Sequence, residues 1–244
     1  MQQCGPPGGP APVAGFASNP RWVRRPPAAV KLATVTTLPL ADEPDGLVLD
    51  LFEGEARLWP LAFDAAEATQ LLHDLRSQVD WRQEEILMFG RRVPVPRRVA
   101  WHGDPGASYT YSGTEHHPLP WTPALDRVRA RATRLAGRDF NAVLLNLYRD
   151  GGDSMGWHAD DEPELGRNPV IASVSLGATR RFCLRHRRRK ELRLDVPLTH
   201  GSLLLMSGAT QHHWVHALPK TATPVGERIN LTFRRIELSR IDLR

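Results

Sequence analysis

The stretch MGWHADDEPELG, Met155 to Gly166, places His158 two residues before Asp160 and follows them with Asp161, Glu162 and Glu164. On an extended segment, residues i and i+2 project to the same side, so this imidazole and carboxylate can reach one ion. His-x-Asp arises often by chance, and a metal needs a third donor from elsewhere. HHWVHALP offers His212, His213 and His216. Two histidines and one carboxylate on one face of an octahedron leave positions open for a cosubstrate and O2, the donor set of non-haem Fe(II) oxygenases. Zinc accepts the same donors. Iron is preferred only if a dicarboxylate pocket lies beside the site. His73, His102, His116, His117, His186 and His200 have no comparable carboxylate or arginine partners and read as structural or surface groups.

Two other stretches bear on that pocket. In RINLTFRRI, a period of two puts Arg228, Asn230, Thr232 and Arg234 on one face and Ile229, Leu231 and Phe233 on the other. In NAVLLNLY, Asn146 and Tyr148 share a face. Such a polar stripe is either the solvent side of a half-buried strand or the wall of an internal cavity. In a cavity, the planar fork of arginine would grip a carboxylate through two hydrogen bonds.

Helices and strands must position these groups. Asp64 can cap a first helix, with Glu67 in capping-box spacing and Ala68, Leu71, Leu72, Leu75 and Val79 along one face. A second starts at Thr122-Pro123, carries Leu125, Val128, Ala132 and Leu135, and stops at Gly137. After Gly137 come NAVLLNLY, VIASVSLG, RRFCLRH, ELRLDVPL, GSLLLMSG and RINLTFRRI, short runs rich in Val, Ile and Leu separated by turn formers. This order predicts an α+β fold: a jelly roll, or double-stranded β-helix, with the N-terminal helices packed on one sheet.

The 244 residues are 41% hydrophobic, enough for one sizeable domain. Residues 1–29 hold seven prolines and four glycines and predict a disordered tail, with a single domain over 30–244 that starts between Val30 and Leu47. No apolar run approaches the roughly 18 residues that would span a membrane, and the N-terminus carries no secretory pattern. Cys4 and Cys183 cannot build a disulfide framework, so a reducing, cytoplasmic setting is expected. The net charge of +5 is clustered in RRVPVPRR (Arg91 to Arg98) and RRFCLRHRRRKELR (Arg180 to Arg193). These clusters are either solvated basic faces or contacts for a polyanion.

NLYRDGGDSMGWHADDEPELG, PVIASVSLGATRRF, HGSLLLMSG, HHWVHALP and RINLTFR occur in that order. Over roughly Trp81 to Ile236 the chain resembles the AlkB family of Fe(II)- and 2-oxoglutarate-dependent dealkylating dioxygenases. The resemblance implies Fe(II), with 2-oxoglutarate and O2 as cosubstrates, and His158, Asp160 and His216 as metal ligands. It assigns Asn146, Tyr148, Arg228, Thr232 and Arg234 to the 2-oxoglutarate pocket, Arg228 holding the distal carboxylate and Arg234 and Asn146 the chelating end. Asp161 and Glu162 match positions that contact a damaged base. Met88, Phe89 and Gly90 match a loop that handles the gap left by that base, and Tyr109, Thr110 and Tyr111 match a segment lining the base pocket. The resemblance divides the domain into a nucleotide-recognition region at about 81–120 and a jelly-roll core at about 140–238.

The implied reaction is oxidative removal of N-linked methyl groups, as in 1-methyladenine and 3-methylcytosine, with release of formaldehyde, succinate and CO2. The base would be flipped out or come from a single strand. The expected partner is nucleic acid, alkylated DNA with RNA as a further candidate. The expected state is a monomer that is not membrane-bound, nuclear if the source is eukaryotic. Arg91, Arg92, Arg97 and Arg98 would track the backbone, as would Arg187 to Lys190, while Trp101 and Trp157 read as packing residues. The alternatives are a hydroxylase of the same chemistry acting on a protein or small molecule, and a non-enzymatic module with a structural metal or none.

Overall fold

Asp64 and Thr122 do what their spacing predicts. In the computed structural model, which describes residues 46–88, 90–107, 109–111 and 114–237, the Glu67 N–H donates to Asp64 Oδ1 at 2.8 Å and starts α1 (Ala65–Gln78). The Leu125 N–H donates to Thr122 Oγ1 at 3.3 Å and starts α2 (Pro123–Ala136), which ends at Gly137 in the left-handed region, φ 62°. The N-terminal tail and Phe89 lie outside the described residues. No helix among the described residues is long and apolar enough to cross a membrane.

Before α1 run β1 (Leu47–Leu51) and β2 (Gly54–Trp59). Between the helices come β3 (Glu85–Met88), β4 (Arg91–Pro94), β5 (Arg98–Gly103), β6 (Tyr109–Tyr111) and β7 (Thr114–His116). After α2 follow β8 (Ala142–Tyr148), β9 (Met155–His158), β10 (Ile171–Gly177), β11 (Arg180–His186), β12 (Arg193–Leu198) and β13 (Ser202–Ser207). The short helix α3 (Thr210–His213) leads into β14 (Trp214–Leu218), and β15 (Arg228–Arg234) is last. A seven-stranded antiparallel sheet has the order β1-β2-β13-β10-β15-β8-β5, and a four-stranded sheet has the order β12-β11-β14-β9. β3–β4 and β6–β7 are separate hairpins. This is the expected jelly roll. Strands β1 and β2 escaped the sequence reading; LVLDL is apolar at four of five positions but shows no alternation, and as an edge strand it leaves Leu47 and Val48 exposed.

Both helices cover the large sheet. Leu71 and Leu75 of α1 and Leu125 and Val128 of α2 share one core with Val174 and Leu176 of β10 and with Ile229, Leu231 and Phe233 of β15. A second core joins Phe182 and Leu184 of β11 and Val196 and Leu198 of β12 to Leu204 and Met206 of β13. The centre of the large sheet is therefore buried on both faces, and all seven residues of β15 are buried. Its apolar side meets the helices, so its polar side, Arg228 to Arg234, faces the interior between the sheets rather than solvent.

Candidate metal centre and cosubstrate pocket

β9 and β14 pair antiparallel with His158 directly opposite His216. Directly opposed residues project to the same face within side-chain reach, and the two rings lie 4.3 Å apart between centroids. Asp160 follows two residues beyond His158. Its Oδ2 is 3.6 Å from His216 Nε2, and the potential ligand atoms of the three residues all lie within 4.8 Å of one another. Of the three histidines in HHWVH, only His216 arrives here. His212 bonds to Arg167 O and Asn168 Oδ1, and His213 faces Glu53.

Hydrogen bonds, burial and neighbouring charge shape the three groups. His158 Nδ1 lies 2.9 Å from Gly156 O. A carbonyl only accepts, so Nδ1 carries a proton and Nε2 is the ring nitrogen through which His158 can bind a metal. Burial pushes His216 down from 6.5 to about 3, with His158 adding to the effect, so its imidazole is neutral at physiological pH. Burial alone would raise the Asp160 carboxyl. The adjacent Arg234 guanidinium, which donates to Asp160 Oδ1, outweighs it together with the two histidines and holds the carboxyl well below the usual range. A neutral His216 and an ionised Asp160 are states that metal binding requires, and with His158 directly across from His216 these residues fit Fe(II).

Beside the triad, between the sheets, lies a cavity lined by Asn146, Tyr148, Arg228, Thr232 and Arg234. Arg228 is 2% exposed and has no carboxylate partner among the described residues. One of its amino groups donates to Ser175 Oγ at 2.9 Å, its guanidinium lies 5.3 Å from the centre of the Tyr148 ring, and its Nε has no hydrogen-bond partner. Burial lowers it to about 10, so it remains a cation at neutral pH. A buried guanidinium with an orphaned donor is costly unless an anion completes it. A carboxylate of 2-oxoglutarate fits that need.

The other predicted residues are distributed as follows. Met88 ends β3 and Gly90 makes the turn to β4 at φ 75°. Tyr109, Thr110 and Tyr111 form β6. Asp161 is exposed and accepts from Arg187 at 2.5 Å, and half-buried Glu162 precedes a short 3-10 turn over Pro163–Leu165.

Three sequence expectations need correction. Arg97 is buried rather than tracking a backbone: it is 4% exposed, and its Nε donates to Asn146 Oδ1 at 2.7 Å, because it precedes β5 on the edge of the large sheet and turns inward to the cavity wall. Trp157 is 46% exposed on the outer side of β9, beneath the Arg185 guanidinium at 4.4 Å, since its neighbour His158 occupies the inner side. His186 does have a carboxylate partner, Glu53 Oε2 at 3.1 Å, delivered by the β1–β2 turn that the sequence did not announce.

Sequence reading also missed Ser173 and Ser175 on β10, which bond to Asn230 and Arg228. The alternation in IASVSLG carries the same signal as RINLTFR and could have revealed them. Gln211, which accepts the Asp160 N–H at 3.0 Å, has no comparable signal.

A family model for the 2OG-Fe(II) oxygenase superfamily matches residues 55–234. The human DNA oxidative demethylase ALKBH2 is 40% identical over 198 residues, covering 77% of this chain and 76% of that protein. The human alpha-ketoglutarate-dependent dioxygenase alkB homolog 3 is 42% identical over 188 residues, covering 73% of this chain and 65% of that one. The solved structure of OsALKBH1 covers 77% of this chain and 100% of its own, with a TM-score of 0.56 and 15% identity, and so speaks to the fold alone.

Proposed function

The chain belongs to the AlkB family within the 2OG-Fe(II) oxygenase superfamily, and from that premise we propose how its residues carry out oxidative demethylation of nucleic-acid bases. The protein is an Fe(II)- and 2-oxoglutarate-dependent dioxygenase of nucleic acid. The observation that carries the residue assignment is the meeting of His158, Asp160 and His216 beside Arg228, a buried cation with no carboxylate of its own.

In this reading His158, Asp160 and His216 hold Fe(II) on one face. Arg228, with Tyr148 and Thr232, binds the distal carboxylate of 2-oxoglutarate. Asn146 and Arg234 steady the end of the cosubstrate nearest the metal. When bound, Fe(II) with 2-oxoglutarate and O2 supplies the oxidising power that inserts one oxygen atom into a C–H bond of the N-methyl group, the other oxygen leaving in succinate as CO2 is lost. The hydroxymethyl product then breaks its C–N bond: the bonding pair returns to the ring nitrogen, the hydroxyl proton leaves to solvent, and formaldehyde and the unmodified base are released.

Arg234 keeps Asp160 ionised and fixed. The large sheet on one side and the four-stranded sheet on the other enclose the pocket, which strengthens each charge interaction there. Asp161 and Glu162 are the proposed acceptors for a base N–H, and Tyr109, Thr110 and Tyr111, with Met88, Phe89 and Gly90, are the proposed base-handling residues. The base-handling residues belong to a nucleotide-recognition region at about 81–120, set on the jelly-roll core at about 140–238. Exposed Arg91, Arg92, Arg98, Arg188, Arg189 and Lys190 suit a phosphate backbone better than a neutral protein or small-molecule substrate. An intracellular monomer is the proposed state.

The test is one activity panel. Purified protein with Fe(II) and ascorbate is given oligonucleotides bearing 1-methyladenine or 3-methylcytosine as single-stranded DNA, duplex DNA and RNA, with and without 2-oxoglutarate. Formaldehyde and restored base that depend on 2-oxoglutarate support the reading. Folded, iron-loaded protein that releases neither overturns it.

A further inference from the structure

Asp160 lies two residues past the end of β9, so its backbone has left the strand ladder. Its N–H is nonetheless met, by Gln211 Oε1 at 3.0 Å. Gln211 is 1% exposed and comes from α3, the four-residue helix that runs directly into β14 and thus toward His216. The single bond therefore ties the segment carrying one proposed metal ligand to the element carrying another. A backbone N–H demands an acceptor, which fixes the amide with its oxygen toward Asp160, and its nitrogen lies 3.7 Å from Met206 Sδ. Arg187 reinforces the junction, donating to Gln211 O at 3.2 Å and to Asp161 Oδ2 at 2.5 Å.

We infer that Gln211 is a positioning residue for the metal centre: its side-chain carbonyl sets the Asp160 backbone so that the carboxylate meets the metal and Arg234 together. The inference rests on the reading of Asp160 as a metal ligand. Arg234 holds the carboxylate but not the segment that carries it, which could shift as a whole. With the backbone pinned to α3, the approach of Asp160 to His216 is set before a metal arrives. A buried N–H left without an acceptor would instead draw the segment toward water.

Co(II) binding to the full-length apo protein, followed by its visible absorbance, tests this apart from turnover. Four proteins are titrated: wild type, Asp160→Ala, Gln211→Met and Gln211→Asn. Gln211→Met keeps the length but loses the acceptor. Gln211→Asn keeps an amide one methylene short, and carries the test if the methionine variant does not fold. The expected result is Co(II) affinity about 10- to 100-fold weaker in the Gln211 variants, the range typical of residues that orient metal ligands, with far-UV circular dichroism unchanged. A folded Gln211 variant that binds Co(II) as tightly as wild type overturns the positioning role and leaves the metal site standing. Wild type that fails to bind Co(II), or Asp160→Ala that binds it equally well, overturns the metal reading itself.

Discussion

Two clusters in this protein use nearly the same side chains. His158, Asp160 and His216 form one, and Glu53, His186 and His213 form the other, and within each the possible ligand atoms lie within 4.8 Å of one another. Their ring nitrogens separate them. In the first, His158 Nδ1–H donates to the Gly156 carbonyl, so Nε2 is the nitrogen through which the ring can bind a metal. In the second, His186 Nδ1 receives the backbone N–H groups of Arg188 at 3.2 Å and Arg189 at 2.9 Å. That nitrogen must be unprotonated, so Nε2 carries the proton and delivers it to Glu53. A metal at that Nε2 would have to expel the proton and leave a doubly deprotonated ring. The second cluster is a clamp between the β1–β2 turn, the end of β11 and α3. Residue type and proximity are shared by the two sites, and the partner of the far nitrogen decides which can hold a metal.

The largest expected contrast comes from removing each carboxylate. Asp160→Ala should abolish formaldehyde release. It also breaks the buried ion pair of Asp160 with Arg234, which costs about 3–5 kcal/mol of stability by urea unfolding. Measurable turnover in this variant would erase the distinction between the clusters.

Acid sharpens the contrast. His216 is held at about 3 when folded against an ordinary 6.5, so the unfolded chain binds more protons between those values. Stability contributed by the neutral ring is complete above about pH 6.5 and is lost as pH falls toward 3. Asp160, depressed below its ordinary 3.8, adds a further loss of the same sign as pH drops through and below that value. Urea melts of the metal-free protein over this range should steepen accordingly, and His216→Asn should flatten the slope above pH 4.

Arg228→Lys keeps the charge but not the fork. The KM for 2-oxoglutarate should rise by at least about 30-fold, near 2 kcal/mol, with the KM for methylated oligonucleotide unchanged. Steady-state kinetics varying one substrate at a time would expose a mistaken pocket assignment if the two constants moved together.

The smallest effect belongs to the clamp. Glu53 is about half exposed, so Glu53→Gln should alter stability by no more than about 1 kcal/mol, retain demethylation, and leave a stoichiometry of one Co(II) per chain. A second equivalent of Co(II) in wild type that disappears in Glu53→Gln would show that the clamp is a metal site after all.

Much of the frame was legible because its signals are local. Asp64 and Thr122 cap helices through bonds spanning three residues, Gly137 ends one through its own backbone, and the period-two alternation in RINLTFR and AVLLNLY declares a strand wherever it occurs. The site was legible in part. His-x-Asp suggested one half of a metal centre, but three histidines in HHWVH stood equally near in sequence, and it took a resemblance to choose His216. Arg97 looked like its exposed neighbours Arg91, Arg92 and Arg98, and no property of the residue says that it turns inward to Asn146, 49 positions away.

The amino-acid order by itself determined the helices, most strands and the polar stripe of β15, since each follows from dihedral preference, capping and side-chain alternation within a few residues. Tertiary structure alone decided that the sheet the helices cover is the one holding β15, with its apolar side toward them, turning that stripe from a candidate surface into a cavity wall. It also decided which histidine meets Asp160 and which nitrogen of each ring stays open. Those outcomes depend on partners far away in the chain, such as Gln211 for Asp160 and Glu53 for His186, and such pairings exist only once the sheets have closed.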